Sequence, residues 1–177
     1  DIQTIYHLAS VERQGAEADL LATDVQGTRN LLQAAVDARI DRFFFISHLG
    51  ADRASAFPVL KIKAIAEEFI RRSGLDFTIF RTALVFGVND GFTTNLAQSA
   101  RALPFVFLTP GLGDNLLQPI WVEDLATCLA WALDDDDTRR RTIEIGGPEF
   151  LTFREVVQII LRKMGIKRSF VAWTGVL

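Results

Sequence analysis

Two kinds of apolar pattern alternate along this chain. Short unbroken runs suit strands buried on both faces of a sheet. Longer stretches in which apolar residues return every three or four positions suit amphipathic helices. Ile2–Ala9 reads as a strand ending in small residues, and Asp19–Ala38 as a helix with Val25, Leu32, Ala35 and Val36 on one face. Gly27 inside that helix costs about 1 kcal/mol relative to alanine, which predicts close packing on a neighbour. Phe43-Phe44-Phe45-Ile46-Ser47 follows Asp41-Arg42 as the next strand. Pro58–Ser73 is a helix with proline in its first turn and Arg71 and Arg72 in its last. Gly74 is placed to end it in the left-handed conformation. Strand Asp76–Phe80, helix Phe92–Ala102, strand Phe105–Leu108 and helix Val122–Leu133 continue the alternation. Strand Thr142–Gly146 comes next. Thr152-Phe153-Arg154-Glu155 is a capping box opening a helix to Met164, and Arg168–Ala172 reads as a last strand. The acidic run Asp134–Asp137 reads as a solvated loop.

Strand and helix alternating with short connections predict an α/β fold, a doubly wound parallel sheet with helices on both faces. Ligands in such sheets bind outside the carboxyl ends of the strands. That points to Ala9-Ser10, Ser47-His48 and Arg81-Thr82. At 177 residues and 49% apolar composition, the chain suffices for one domain with a sizeable core. A net charge of −3 argues against a nucleic-acid surface. The single Cys128 permits no intrachain disulfide and fits a reducing, cytoplasmic setting; no Cys/His cluster suggests a metal. No apolar run is long enough to span a bilayer. The chain begins at Asp1 with what already reads as a core strand, which predicts a fragment or a trimmed chain.

Several segments, in order, resemble the extended and atypical short-chain dehydrogenases. Ile5-Tyr-His-Leu-Ala9 is similar to that family's fourth-strand motif. Val25-Gln-Gly-Thr-Arg-Asn-Leu-Leu32 is similar to the helix after it. Phe44-Phe-Ile-Ser-His-Leu-Gly-Ala51 resembles the fifth-strand motif that carries an active-site hydroxyl, and Arg81-Thr-Ala-Leu-Val-Phe-Gly87 the sixth, which lines the nicotinamide. Gln118–Leu125 resembles a segment beside the substrate pocket, and Gly146-Gly-Pro148 with Leu151–Glu155 the motif after the last main strand. The nearest branch resembles NmrA-like regulators and the Rossmann-type accessory subunit of respiratory complex I. The resemblance implies a Rossmann-type sheet lacking its first βαβ unit. Residues 1–86 would be the later part of the NAD(P)-binding core. Residues 87–177 would be a substrate-side segment interleaved with the last core strands, the whole forming one structural domain.

The cofactor implied is NAD or NADP, lying along His7, Leu8, Ala9, Ser47, Lys63, Arg81, Thr82, Leu84 and Val85. Lys63, Ser47 and His48 are the catalytic candidates. Each has a plainer reading. Lys63 is otherwise a surface lysine near Lys61, Ser47 a strand-end serine bonded to local backbone, and His48 a half-buried hydrogen-bonded histidine. His7 is either structural or near the adenine, and Arg81 either faces the site or pairs with a core carboxylate. Glu123 and Asp124 read either as an acid pair or, more plainly, as stabilising a helix N-terminus; Trp121 lines a pocket or is simply buried.

Two departures from the family pattern stand out. The glycine-rich phosphate loop that opens the family's domain is not in this sequence, and Gly111-Leu-Gly113 has the wrong spacing to replace it. In addition, the family's Tyr-x-x-x-Lys pair, in which the ammonium lowers the tyrosine pKa, aligns with Val59 and Lys63. The only tyrosine, Tyr6, lies in the first strand. The resemblance therefore implies an NAD(P)H-dependent oxidoreductase or isomerase/epimerase acting on an unknown small molecule. The alternative is a cofactor-binding redox sensor or assembly subunit without turnover. It leaves room for a homo-oligomer or a place in a larger complex.

Overall fold

The computed structural model describes residues 2–173, which leaves Asp1 and residues 174–177 outside the description. In chain order the elements are β1 (Thr4–His7), α1 (Thr28–Asp37), β2 (Arg42–His48), α2 (Pro58–Arg72) and β3 (Phe77–Thr82). Then come β4 (Val85–Phe86), α3 (Gly91–Ala102), β5 (Val106–Pro110), β6 (Leu116–Leu117) and β7 (Ile120–Trp121). Last are α4 (Val122–Asp134), β8 (Arg141–Ile145), β9 (Leu151–Thr152), α5 (Phe153–Lys163) and β10 (Ser169–Trp173). The chain forms two compact units. One comprises the described residues up to Ala83 with Ala126–Ile145; the other comprises Leu84–Leu125 with the described residues from Gly146 on.

The first unit is a four-stranded, wholly parallel sheet in the order β1-β2-β3-β8. The α/β reading is correct, and the Phe43–Phe45 run shows why. Alternate side chains of a strand point to opposite faces, so a triple phenylalanine serves both. Phe43 and Phe45 join Phe77 and Ile79 against Leu32 and Ala35 of α1 and Ala66 and Ile70 of α2. Phe44 and Phe80 meet Leu129 and Ala132 of α4 on the opposite face. Phe43, Phe44 and Ile79 are completely buried, each contributing roughly 1.5–3 kcal/mol by burial.

The helix predicted over Asp19–Ala38 is interrupted in kind. Leu21–Gly27 is π-helical and passes into α1 without a break. Gly27 lies in this wider stretch, and a Cβ there would meet only the Ala22 carbonyl oxygen at 3.7 Å. The close packing expected of it is not found. Val36, placed on the apolar face, is 39% exposed, because α1 turns the Leu32–Ala35 stripe inward instead. Gly74 has φ of +80° after α2, as its helix-ending position requires. The acidic run is exposed as read, but Asp136–Thr138 forms a 3₁₀ turn with Asp136 on Arg139.

The second unit holds three two-stranded sheets, β4–β7 and β5–β10 parallel and β6–β9 antiparallel. Ala100, Phe107, Val157 and Leu161, from α3, β5 and α5, form its core. The predicted capping box is present at the start of α5. Thr152 Oγ1 accepts from the Glu155 N–H, and the Glu155 carboxylate accepts from the Thr152 N–H at 2.7 Å. Gly147 packs so tightly that an added Cβ would strike the Pro119 carbonyl. Among the described residues no helix is long and apolar enough to cross a membrane.

Candidate functional site

Lys63 organises a cluster at the carboxyl ends of β1 and β2. Lys61 is exposed and Lys63 is 5% exposed, since two residues on a helix differ by more than half a turn. The Lys63 ammonium lies 3.4 Å from Asp24 Oδ1 and 3.7 Å from Glu12 Oε2, and 5.5 Å from the centre of the Phe45 ring. Asp24, 3% exposed, is carried inward by the π-helical stretch, and its Oδ2 accepts from the Val11 N–H at 3.1 Å. A buried ammonium requires such carboxylates. Glu12 Oε2 also lies 2.8 Å from His48 Nε2, so one carboxylate oxygen touches both His48 and Lys63. The His48 hydrogen bond, followed by the charges of His48 and Lys63, holds the Glu12 carboxyl below its usual range despite partial burial.

His7 sits behind the lysine. Its Nε2 is 2.7 Å from Thr28 Oγ1, which itself donates to the Asp24 carbonyl at 2.6 Å. A hydroxyl has one proton to give, so His7 Nε2 is the donor in this chain of bonds. Burial, and then the charge of Lys63, lower the His7 pKa and keep the ring neutral.

A second network runs beneath. Glu67 of α2 is fully buried. It accepts from Ser47 Oγ at 2.6 Å, from Arg81 Nε and a terminal nitrogen at 3.0 and 2.8 Å, and from Arg71 at 2.6 Å. Burial alone would raise its pKa; the bonds from Arg81, Ser47 and Arg71 outweigh burial and hold it low. Ser47, expected at the substrate, thus spends its proton on Glu67. Arg81, expected along the cofactor or in a core pair, makes the core pair. Thr82 is buried and donates to the Ser47 carbonyl at 3.2 Å.

Leu8 and Ala9 are exposed past the end of β1, while Leu84 and Val85 are half-buried in the second unit. Val59 is half-buried one turn before Lys63. Tyr6 stacks on Phe44 and donates to the Leu129 carbonyl, committed to α4 instead. Sequence reasoning singled out neither Glu12 nor Asp24. Asp24 carried a signal, an acid one residue before the Val25 motif on a helix otherwise packed inward. Glu12 carried none.

A family model described as NAD(P)H-binding matches residues 5–105. The chain belongs to this NAD(P)H-binding family. Among curated relatives, the mitochondrial NADH dehydrogenase [ubiquinone] 1 alpha subcomplex subunit 9 of Arabidopsis thaliana is 33% identical over 122 residues, covering 68% of this chain and 30% of that protein. The photosystem II assembly factor Ycf39 of Cyanophora paradoxa is 28% identical over 134 residues, covering 76% and 36%. The chain thus spans about a third of these relatives' length. Among solved structures, MoeE5 in complex with UDP-glucuronic acid and NAD superposes with a TM-score of 0.82 at 21% identity, covering 98% of this chain and 66% of that one. UDP-glucuronic acid 4-epimerase from Bacillus cereus, in complex with UDP-glucuronic acid and NAD, gives 0.80 at 19%, covering 97% and 62%. These likenesses place the fold of the NAD(P)H-binding chain among epimerase-like Rossmann structures.

The residues present fit the nicotinamide-ribose end of such a cofactor. An ammonium has three donors, and the carboxylates at 3.4 and 3.7 Å are longer than the roughly 2.7–2.9 Å of a tight charge-assisted bond. Lys63 therefore keeps donor capacity for a hydroxyl.

Proposed function

We propose that the full-length protein is an NAD(P)H-dependent oxidoreductase acting on a small molecule, with Lys63 anchoring the nicotinamide ribose. The supporting observation is the buried Lys63 ammonium at the carboxyl ends of β1 and β2, 3.4 Å from Asp24 and 3.7 Å from Glu12. When bound, the nicotinamide supplies hydride chemistry. The chain's part is to orient the ribose and to keep the strand ends rigid through the Glu67 network. The lone cysteine suits a reducing compartment such as the cytoplasm. The test is titration of NADH and NADPH into the full-length protein and its Lys63→Ala variant. At least a tenfold loss of affinity, about 1.4 kcal/mol, is expected, and unchanged affinity sinks the anchoring role.

A second reading, a cofactor-binding subunit without turnover, is favoured by Val59 at the family's tyrosine position and by relatives that are a subunit of NADH dehydrogenase and a photosystem II assembly factor. It predicts tight cofactor binding, co-elution with a larger complex, and no oxidation of NAD(P)H by aldehydes or quinones.

A further inference from the structure

The loss of tyrosine at position 59 leaves open what supplies the proton. The titratable groups around Lys63 are Asp24, Glu12, His48 and His7. Asp24 is 3% exposed and committed to Lys63 and the Val11 N–H. His7 is 7% exposed and committed to Thr28. Only His48 and Glu12 reach solvent, their side chains 31% and 28% exposed, and they are joined to each other at 2.8 Å. His48 is the last residue of β2, so the sheet delivers it to the ligand edge. Its Nε2 is held by Glu12, which leaves Nδ1 as the nitrogen without a partner among the described residues. Carboxylate, imidazole and ammonium are thus linked through one oxygen, Glu12 Oε2. A carboxylate on one ring nitrogen fixes the ring's orientation and leaves the other free to exchange a proton.

We propose that His48 is the general acid/base of this site, in place of the missing tyrosine, and that Glu12 is its positioning residue. The inference rests on the proposed oxidoreductase reading. In the reductive direction, His48 as imidazolium gives its Nδ1 proton to the oxygen of a substrate carbonyl. The carbonyl carbon takes the hydride from NAD(P)H, and its π pair becomes the new O–H bond. The products are the alcohol and NAD(P)⁺, and the half-exposed imidazole regains its proton from water. Lys63 stays on the ribose and is not the proton donor.

The first test needs no turnover. The His48 ring resonances of the full-length protein are followed by NMR during addition of NADH or NADPH, and separately of ADP-ribose or its 2′-phosphate, which lack the nicotinamide ring. The resonances should move with the dinucleotide and stay in place with ADP-ribose. His48→Asn should keep the cofactor Kd within twofold. It should lower kcat at least a hundredfold for the best substrate in a panel of aldehydes and quinones, the scale of a lost general acid. Glu12→Gln should lower kcat about tenfold and leave the KM for that substrate within twofold. Resonances unmoved by the dinucleotide, a His48→Asn variant keeping more than a tenth of kcat, or bound cofactor with no turnover across the panel would each overturn the assignment. If neither dinucleotide binds, the ribose-anchoring reading falls first. If both bind and His48 does not respond, only the present inference falls.

Discussion

Substituting Glu67 by glutamine tests the energetic argument most directly. Glu67 is fully buried and receives four hydrogen bonds, one from Ser47, two from Arg81 and one from Arg71. Arg71 is 40% exposed, so its ion pair is discounted for solvent screening. The weight falls on Arg81, whose side chain is 23% exposed and pairs with Glu67 through two nitrogens. Breaking such a pair from one side leaves a guanidinium largely out of water, a loss of about 3–5 kcal/mol for a fully buried pair. Glutamine keeps one carbonyl acceptor, and Arg81 retains Glu144 at 3.6 Å, which brings the expected loss for Glu67→Gln to about 2–4 kcal/mol. For a chain of this size that is roughly 5–15 °C in Tm. The pH dependence has a definite sign. The folded-state pKa of Glu67 is depressed, so its contribution is complete above the unfolded pKa of about 4.3 and disappears as pH falls through the lower folded value. Urea unfolding at pH 7 and at acid pH, for wild type and variant, reads both quantities. The gap between the two proteins should narrow on acidification. A loss under about 1 kcal/mol at pH 7, or a gap independent of pH, would refute the reasoning.

Two further substitutions test the packing. Ile79→Ala empties a site buried between α1, α2 and the sheet, and should cost about 2–5 kcal/mol by denaturant unfolding; a cost under 1 kcal/mol would mean the face collapses freely. Thr152→Ala removes the hydroxyl that accepts from the Glu155 N–H and bonds the Glu155 carboxylate, leaving the backbone Thr152 N–H bond to that carboxylate in place, and should cost about 0.5–2 kcal/mol. Faster amide hydrogen exchange confined to the first turn of α5 would accompany it.

The alternation of elements was legible because burial on both sheet faces demands unbroken apolar strands. Phe43–Phe45 and Phe77–Phe80 announced themselves for that reason, and Gly74 and the Thr152 capping box marked helix ends through local chemistry alone. Lys63 was named through the resemblance to the family's Tyr-x-x-x-Lys pair, but that it is buried and Lys61 exposed was decided by the fold. The partners of Ser47 and Arg81 were not legible. Glu67 reaches both from a helix 14 to 20 residues away in sequence, and its position on α2 looks like any charged helix residue until the sheet is laid beneath it.

The sequence by itself determined a parallel α/β sheet, its helix caps, the absence of the family's tyrosine and the place of its lysine. The sheet and caps follow from periodicity and from contacts within a few residues, and the tyrosine and lysine positions from the resemblance to the family's motif. Only the tertiary structure decided what those groups do to one another. It turned Ser47 and Arg81 away from the ligand edge into a buried carboxylate. It also brought Glu12, Asp24 and His48 from three separate segments around Lys63. Charges taken out of water must find partners wherever the folded chain offers them, and nothing local in the sequence specifies which.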